Sequence, residues 1–318
     1  MLLRAAPRTF FGAPSVPDLD DLDAQVAFLG VPFDGGTPQP GNRTGQAEGP
    51  AAARLRSWEQ FEAGAGLYDV ETGRDHLAGV TMADVGDVAI QGADVEGCFA
   101  RMTEAARRVV ARGALLVAVG GDHSMSFPLG RGVAATAAID VVHVDAHADF
   151  LDALDGARHT GASQLRRLAE LPDVRNVSAL GLRNVDREEV EAMRAHNVAW
   201  ATSLELERGA AEAVRRTVPR SEALYVSIDL DVLDLALVPG TTLPEPGGPS
   251  YRQVREALAE VARRGPVVAF DVAELNPPHD PSGVTTRVAT WLIAHFLAAM
   301  FATPSPPARA RARRAGAA

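Results

Sequence analysis

Residues 139–149 read Ile139-Asp140-Val141-Val142-His143-Val144-Asp145-Ala146-His147-Ala148-Asp149. A short β-branched run passes directly into three polar side chains at alternate positions. Apolar runs of this length suit a strand buried on both faces, as in a parallel sheet. The same signal recurs at 26–30, 115–120, 177–182, 198–201, 223–231 and 267–272, with 139–147 making the seventh strand. Helix-period segments separate them at 95–112, 187–196, 204–218 and 250–264. This alternation predicts an α/β fold in which helices cover both faces of a parallel sheet. No internal repeat or linker divides the chain. The reading is an arm over 1–24, loosely held and rich in Pro and Asp, one domain over 25–302, and a disordered Pro/Ala/Arg-rich tail over 303–318.

Composition excludes several functions. The net charge of −10 argues against nucleic acid and anionic membranes as partners. The basic run 309–314 falls in the tail and reads as a solvated end. No apolar stretch free of charge reaches the roughly 20 residues of a bilayer span; 284–302 carries Arg287 and His295 and reads as an amphipathic helix. The first residues are too Pro-rich for a secretion signal. The single Cys98 rules out an internal disulfide, fits a reducing, cytoplasmic setting, and reads as a small helix residue. The sequence contains no lysine, so all 31 basic residues are arginine. That excludes a P-loop lysine and a Schiff-base lysine together.

The strand ends carry the chemistry. Four apolar runs break into polar residues: 115–119 into Gly120-Gly121-Asp122-His123-Ser124, 139–144 into Asp145-Ala146-His147-Ala148-Asp149, 224–228 into Asp229-Leu230-Asp231, and 267–270 into Asp271-Val272-Ala273-Glu274. In an open parallel sheet ligands gather outside the carboxyl ends of strands. Buried carboxylates cost stability unless compensated, and a cation is the simplest compensation. In extended backbone Asp145, His147 and Asp149 project to one side, as do Asp229 and Asp231. With His123 this gives four carboxylates and two imidazoles, too many anions for one small cation. An oxygen-rich set favours a hard metal such as manganese. Two ions can share a bridging water and acidify it towards neutrality. The competing reading, buried acids in ion pairs or helix caps, suits one DxD better than three strand ends. His143, inside its apolar run, reads as a satisfied core histidine, and His76, His196, His279 and His295 read likewise.

GGDHS (120–124), DAHAD (145–149), SIDLDVLD (227–234) and DVAELNP (271–277) resemble the four signature blocks of the arginase/agmatinase/formimidoylglutamase, or ureohydrolase, family. GVPFDGG (30–36), DVGDV (84–88) and the agmatinase-like PGTTLPEPGG (239–248) extend the resemblance over roughly residues 25–300. It implies the family's three-layer α/β/α fold with a central, mainly parallel sheet, and two Mn2+ per subunit. His123 and Asp149 would hold one ion, His147 and Asp231 the other, with Asp145 and Asp229 bridging. Glu274 matches the glutamate that faces the substrate's guanidinium, the alternative being a structural ion pair. The implied reaction is attack of metal-bridged hydroxide on a guanidino carbon, giving urea and an amine, with Asp149 passing a proton to the leaving group. His159 is the candidate proton shuttle, or a bystander, because it precedes Thr160-Gly161 where most members place histidine directly before glycine. Asp186 either meets a substrate amine or caps the helix after it. The substrate implied is a small guanidino amine or acid other than free arginine. The alternatives are formimidoylglutamase, releasing formamide from a formimino substrate, and a non-catalytic metal-binding subunit. Family members form homo-oligomers, trimers or hexamers, and the same is expected here.

Overall fold

A computed structural model describes residues 1–36, 43–92 and 94–302. The tail expected at 303–318, with its basic run, lies outside the described residues. In chain order the strands are β1 (Leu3–Arg4), β2 (Val26–Val31), β3 (Leu67–Asp69), β4 (Arg74–His76), β5 (Met82–Val88), β6 (Leu115–Gly120), β7 (Ile139–Val144), β8 (Val174–Leu182), β9 (Ala199–Thr202), β10 (Leu224–Asp229) and β11 (Val267–Ala273). The helices are α1 (Gly49–Ser57), α2 (Val95–Ala111), α3 (Ser126–Ala134), α4 (Gln164–Ala169), α5 (Arg187–Ala195), α6 (Ser203–Thr217), α7 (Tyr251–Arg264) and α8 (Val284–Phe301). Nine strands form one sheet in the order β1-β5-β2-β6-β11-β10-β7-β8-β9. All pairings in it are parallel except β1 with β5. The mainly parallel sheet is as expected.

Strand pleating builds two cores from one sheet. Leu115, Val117 and Val119 of β6, with Val226 and Ile228 of β10, join one cluster, filled from the helices by Ala53, Leu206, Val254 and Leu292. Leu116, Ala118 and Tyr225 point the other way and pack with Phe99, Leu129, Leu165 and Met193. So α1, α6, α7 and α8 cover one face, α2 to α5 the other, giving three layers. Helix starts are set locally: Thr202 with Glu205 and Ser250 with Gln253 form capping boxes.

Two expectations need correction. The first 24 residues are tied down: Phe10 and Phe11 are fully buried, and Phe11 stacks on Phe61 at 4.6 Å. Aromatic burial outweighs the Pro/Asp composition that suggested a loose arm. Helix α8 is long and apolar enough to cross a membrane by length and composition, and most of its side chains are buried. It is a core helix, since Ala289, Leu292, Ile293, Phe296, Leu297 and Met300 join the hydrophobic cluster on its face of the sheet.

The arm's anchor is ionic. Arg54 Nε lies 2.8 Å from Asp84 Oδ2, both buried, and the same oxygen accepts the Phe10 N–H at 2.9 Å. Asp84→Ala removes the buried carboxylate that accepts from Arg54 and from the Phe10 N–H, leaving the guanidinium only Asp87 and the Gly86 carbonyl, and is expected to destabilise by about 2–3 kcal/mol. Urea unfolding followed by fluorescence measures this, and a loss under about 1 kcal/mol contradicts it.

Candidate metal centre

The four central strands, in the order β6-β11-β10-β7, end side by side. Past three of these ends, those of β6, β7 and β10, the chain turns by the same local device. Asp122 Oδ1 accepts the N–H of Ser124 at 3.0 Å, Asp145 Oδ1 that of His147 at 2.6 Å, and Asp229 Oδ1 that of Asp231 at 2.8 Å. An aspartate that bonds the backbone two residues on makes an Asx turn. These turns gather the polar side chains, which extended-strand parity was expected to do. Strand β7 stops at Val144, and Asp149 sits at φ 50°. Asp231 lies in a single short turn, Leu230–Val232.

All six residues chosen as ligands meet. His123 Nδ1 is 3.0 Å from Asp145 Oδ2, 3.0 Å from Asp149 Oδ2 and 3.1 Å from Asp229 Oδ2. His147 Nδ1 is 3.1 Å from Asp231 Oδ2 and 3.4 Å from Asp145 Oδ1. Asp145 thus turns one oxygen to each imidazole. Ligand atoms of His123, His143 and Asp145, and of Asp145, His147 and Asp231, lie within 4.8 Å of one another.

The donor set fits metal ions better than hydrogen bonds. His123 Nδ1 and Asp145 Oδ2 are buried and lack a hydrogen-bond partner, although three carboxylate oxygens crowd the nitrogen. A single N–H cannot serve three acceptors, whereas a cation at their centre can. Without ions, burial and the charges of Asp231 and Asp145 push Asp229 well above the usual carboxylate range. Burial and Asp145 push Asp231 up to about 6. Burial works against a charge on His123, but the three carboxylates outweigh it and raise its pKa well above the ordinary value. Protons thus hold the place that cations would take.

Glu274, at φ 62°, stands above this cluster. Its Oε1 accepts the His123 N–H at 2.7 Å; its Oε2 accepts from Thr242 Oγ1 and, at 3.2 Å, from Gln46 Nε2. Burial, then the charge of Asp122, raises Glu274 to about 7. A cleft of about 310 Å³ opens over His123, His147, Asp149, Asp229, Asp231 and Glu274, with Asp186 on its wall. Asp186 also begins α5 in a capping box, its N–H donating to Glu189 Oε2 at 3.2 Å. The helix cap is thus present, on a residue that also lines the cleft. His159 is placed elsewhere. Its Nδ1 lies 2.8 Å from Glu96 Oε1, and it does not line the cleft.

Several residues of the site escaped the sequence reading. His143 is fully buried as expected, yet its Nε2 is 3.1 Å from Asp145 Oδ2. Gln164 Nε2 faces its Nδ1 at 3.3 Å, which leaves the proton on Nε2, where the His147 carbonyl accepts at 3.2 Å. His123 Nε2 is 2.8 Å from Ser227 Oγ. Ser227 and Ser126 donate to Asp271 Oδ1 at 3.1 and 2.9 Å, and Tyr225 donates to Oδ2. This chain holds the His123 proton on Nε2 and leaves Nδ1 for a metal. Asp271 carried a signal as a strand-end acid, and Thr242 lay within PGTTLPEPGG without a role assigned to it; Gln46 and Gln164 carried none.

Residues 24–299 match the arginase family. The chain belongs to that family. Over 290 residues it is 32% identical to an agmatinase of Pyrococcus horikoshii, with 90% of this chain and 95% of that protein covered. It is also 32% identical over 303 residues to a guanidinopropionase of Pseudomonas aeruginosa, covering 91% of this chain and 90% of the other. The solved structure of proclavaminate amidino hydrolase from Streptomyces clavuligerus matches with a TM-score of 0.81 at 29% identity, over 93% of this chain and 97% of that one. The agmatinase and the guanidinopropionase carry different substrates in their names at the same 32% identity, so substrate is a question for the cleft.

Two outcomes follow for this arginase-family site. Bound metal requires ionised carboxylates, so manganese affinity should rise as pH climbs past about 6, where Asp231 loses its proton. Calorimetry in buffers of different ionisation enthalpy reads the released protons; affinity flat in pH contradicts the displacement. Asp271→Asn is expected to weaken manganese binding by roughly 10–100-fold with the fold retained, because the support of His123 is disturbed. Unchanged affinity would show that the hydroxyl chain does not hold the imidazole.

Proposed function

We propose that this protein hydrolyses a guanidino C–N bond, releasing urea and an amine, with a manganese pair held by His123, Asp145, His147, Asp149, Asp229 and Asp231. The observation that carries the reading is Asp145, which faces each of two imidazoles with a different oxygen. When bound, two divalent ions supply Lewis acidity and a water acidified towards neutrality. Their four positive charges balance the four aspartates, leaving Glu274 as the uncompensated anion facing the cleft floor.

The residues of the chain do the rest. Donors from His123, Thr242 and Gln46 hold the Glu274 carboxylate, which fixes it to accept two N–H groups of a planar guanidinium side by side. That grip sets the guanidino carbon over the ion pair. Asp149, beside His123 on the cleft floor, is placed to carry a proton to the departing nitrogen.

The outer wall favours an amine-tailed guanidino compound, agmatine-like, over a guanidino acid. Among the described residues lining the cleft there is no arginine, while Asp186 and Glu189 are both present. Arg183 lies behind the wall and donates to the carbonyls of Asp231, Val232, Leu233, Glu245 and Pro246. A substrate carboxylate would meet anions, and an ammonium group would find Asp186.

Manganese-loaded protein assayed against guanidino amines, guanidino acids and formimidoylglutamate should release urea fastest from an amine. Formamide as the product, or silence across the panel, overturns the proposal. Glu274→Gln is expected to lower kcat/KM on the order of 10²-fold, the effect of removing one charge from a buried pair; a change under about three-fold would remove Glu274 from this role.

A further inference from the structure

We infer that His159 is a latch that positions the substrate loop: it anchors residues 151–162 to α2 and α3 through an ion pair with Glu96 and a stack on Phe99 and Phe127. The kinetic part of this inference rests on the proposed guanidino hydrolysis; the anchoring itself does not.

The loop forms one wall of the cleft through Leu151, Leu154, Gly161 and Ala162. It closes on itself, with the Leu151 N–H donating to Ala162 O at 3.0 Å and Leu154 and Ala157 exchanging bonds of 2.9 Å. Asp155 and Gly156 make the tip at φ 50° and 82°. A closed hairpin still needs a fixed point on the body of the protein, or its apolar wall swings relative to the metal ligands. His159 supplies one. Its ring lies 5.5 Å from Phe127 at 27° and 5.5 Å from Phe99 at 38°, on two aromatic side chains that are themselves buried. Its Nδ1 is 2.8 Å from Glu96 Oε1 in the first turn of α2. Both neighbours in sequence are also held: Ser163 Oγ donates to Arg158 O at 2.7 Å, and Thr160 is buried. The imidazole therefore faces the helices of the outer layer.

A shuttle and a latch respond differently to the same variants. A shuttle needs a titrating ring at 159 and nothing from Glu96. A latch needs an aromatic ring at 159 and feels the loss of Glu96. Expected for the latch are a KM rise on the order of ten-fold for His159→Ala, which loses stack and ion pair. Glu96→Ala, which loses a solvent-exposed pair, should raise KM about two- to five-fold. His159→Phe should keep kcat within about three-fold of the parent, since a phenyl ring retains the stack.

Trypsin cleavage after Arg158, followed by mass spectrometry on the full-length protein, reads the loop without any substrate. It should speed up in Glu96→Ala, whose scissile bond is untouched, and in His159→Ala. If the protein hydrolyses nothing on the panel, these cleavage rates still decide the matter. A kcat loss in His159→Phe as deep as in His159→Ala, with Glu96→Ala at parental KM, assigns His159 to proton transfer and overturns the latch. Cleavage after Arg158 at the parental rate in every variant overturns it as well.

Discussion

Four aspartate carboxylates share one buried space, and most of the architecture around them answers that constraint. Their mutual repulsion in a low-dielectric interior is severe, so each needs a positive neighbour or a proton. The imidazoles of His123 and His147 provide part of the compensation, and the raised Asp229 shows that it is incomplete without cations. A parallel sheet is well suited to hold such a group. Its central strands end together, its backbone is rigid and fully bonded, and helices on both faces keep water away from the sides.

Rigidity alone would not aim the ligands. Three of the four strand ends carry an Asx turn that directs the residue two positions on, and beneath the candidate ligands lies a second set of polar contacts. Ser227, Ser126, Tyr225 and Asp271 fix one side of His123, while Gln164 fixes the tautomer of His143. The same logic extends upward to Glu274. Its left-handed backbone and three donors hold a carboxylate in place against its desolvation, a strain of the kind that clusters at working sites.

The cleft shows how one residue type can be misplaced by pattern alone. A histidine two residues before a glycine, in the stretch after DAHAD, invites a role in proton transfer. Its position is decided by partners about thirty to sixty residues away, Glu96, Phe99 and Phe127, whose proximity is a property of helix packing. Asp186 differs: it caps α5 as its position before Arg187-Glu188-Glu189 allowed, and it also reaches the cleft wall because α5 begins there.

What the sequence determined by itself was whatever depends on short-range order. Continuous apolar runs specified the strands, and 115–120 matched β6 residue for residue. Asp, Ser and Thr marked helix starts, and strand-end acids with glycine-presented His123 marked the candidate metal ligands, because Asx turns and strand polarity are local. Tertiary structure alone decided the rest. Phe10 and Phe11 bind the arm only because Phe28 and Phe61 are brought beneath them. Gln46 meets Glu274 across 228 residues of chain and Thr242 meets it across 32. A side chain's electrostatic partner is set by where the sheet and helices carry it, and no local pattern encodes that.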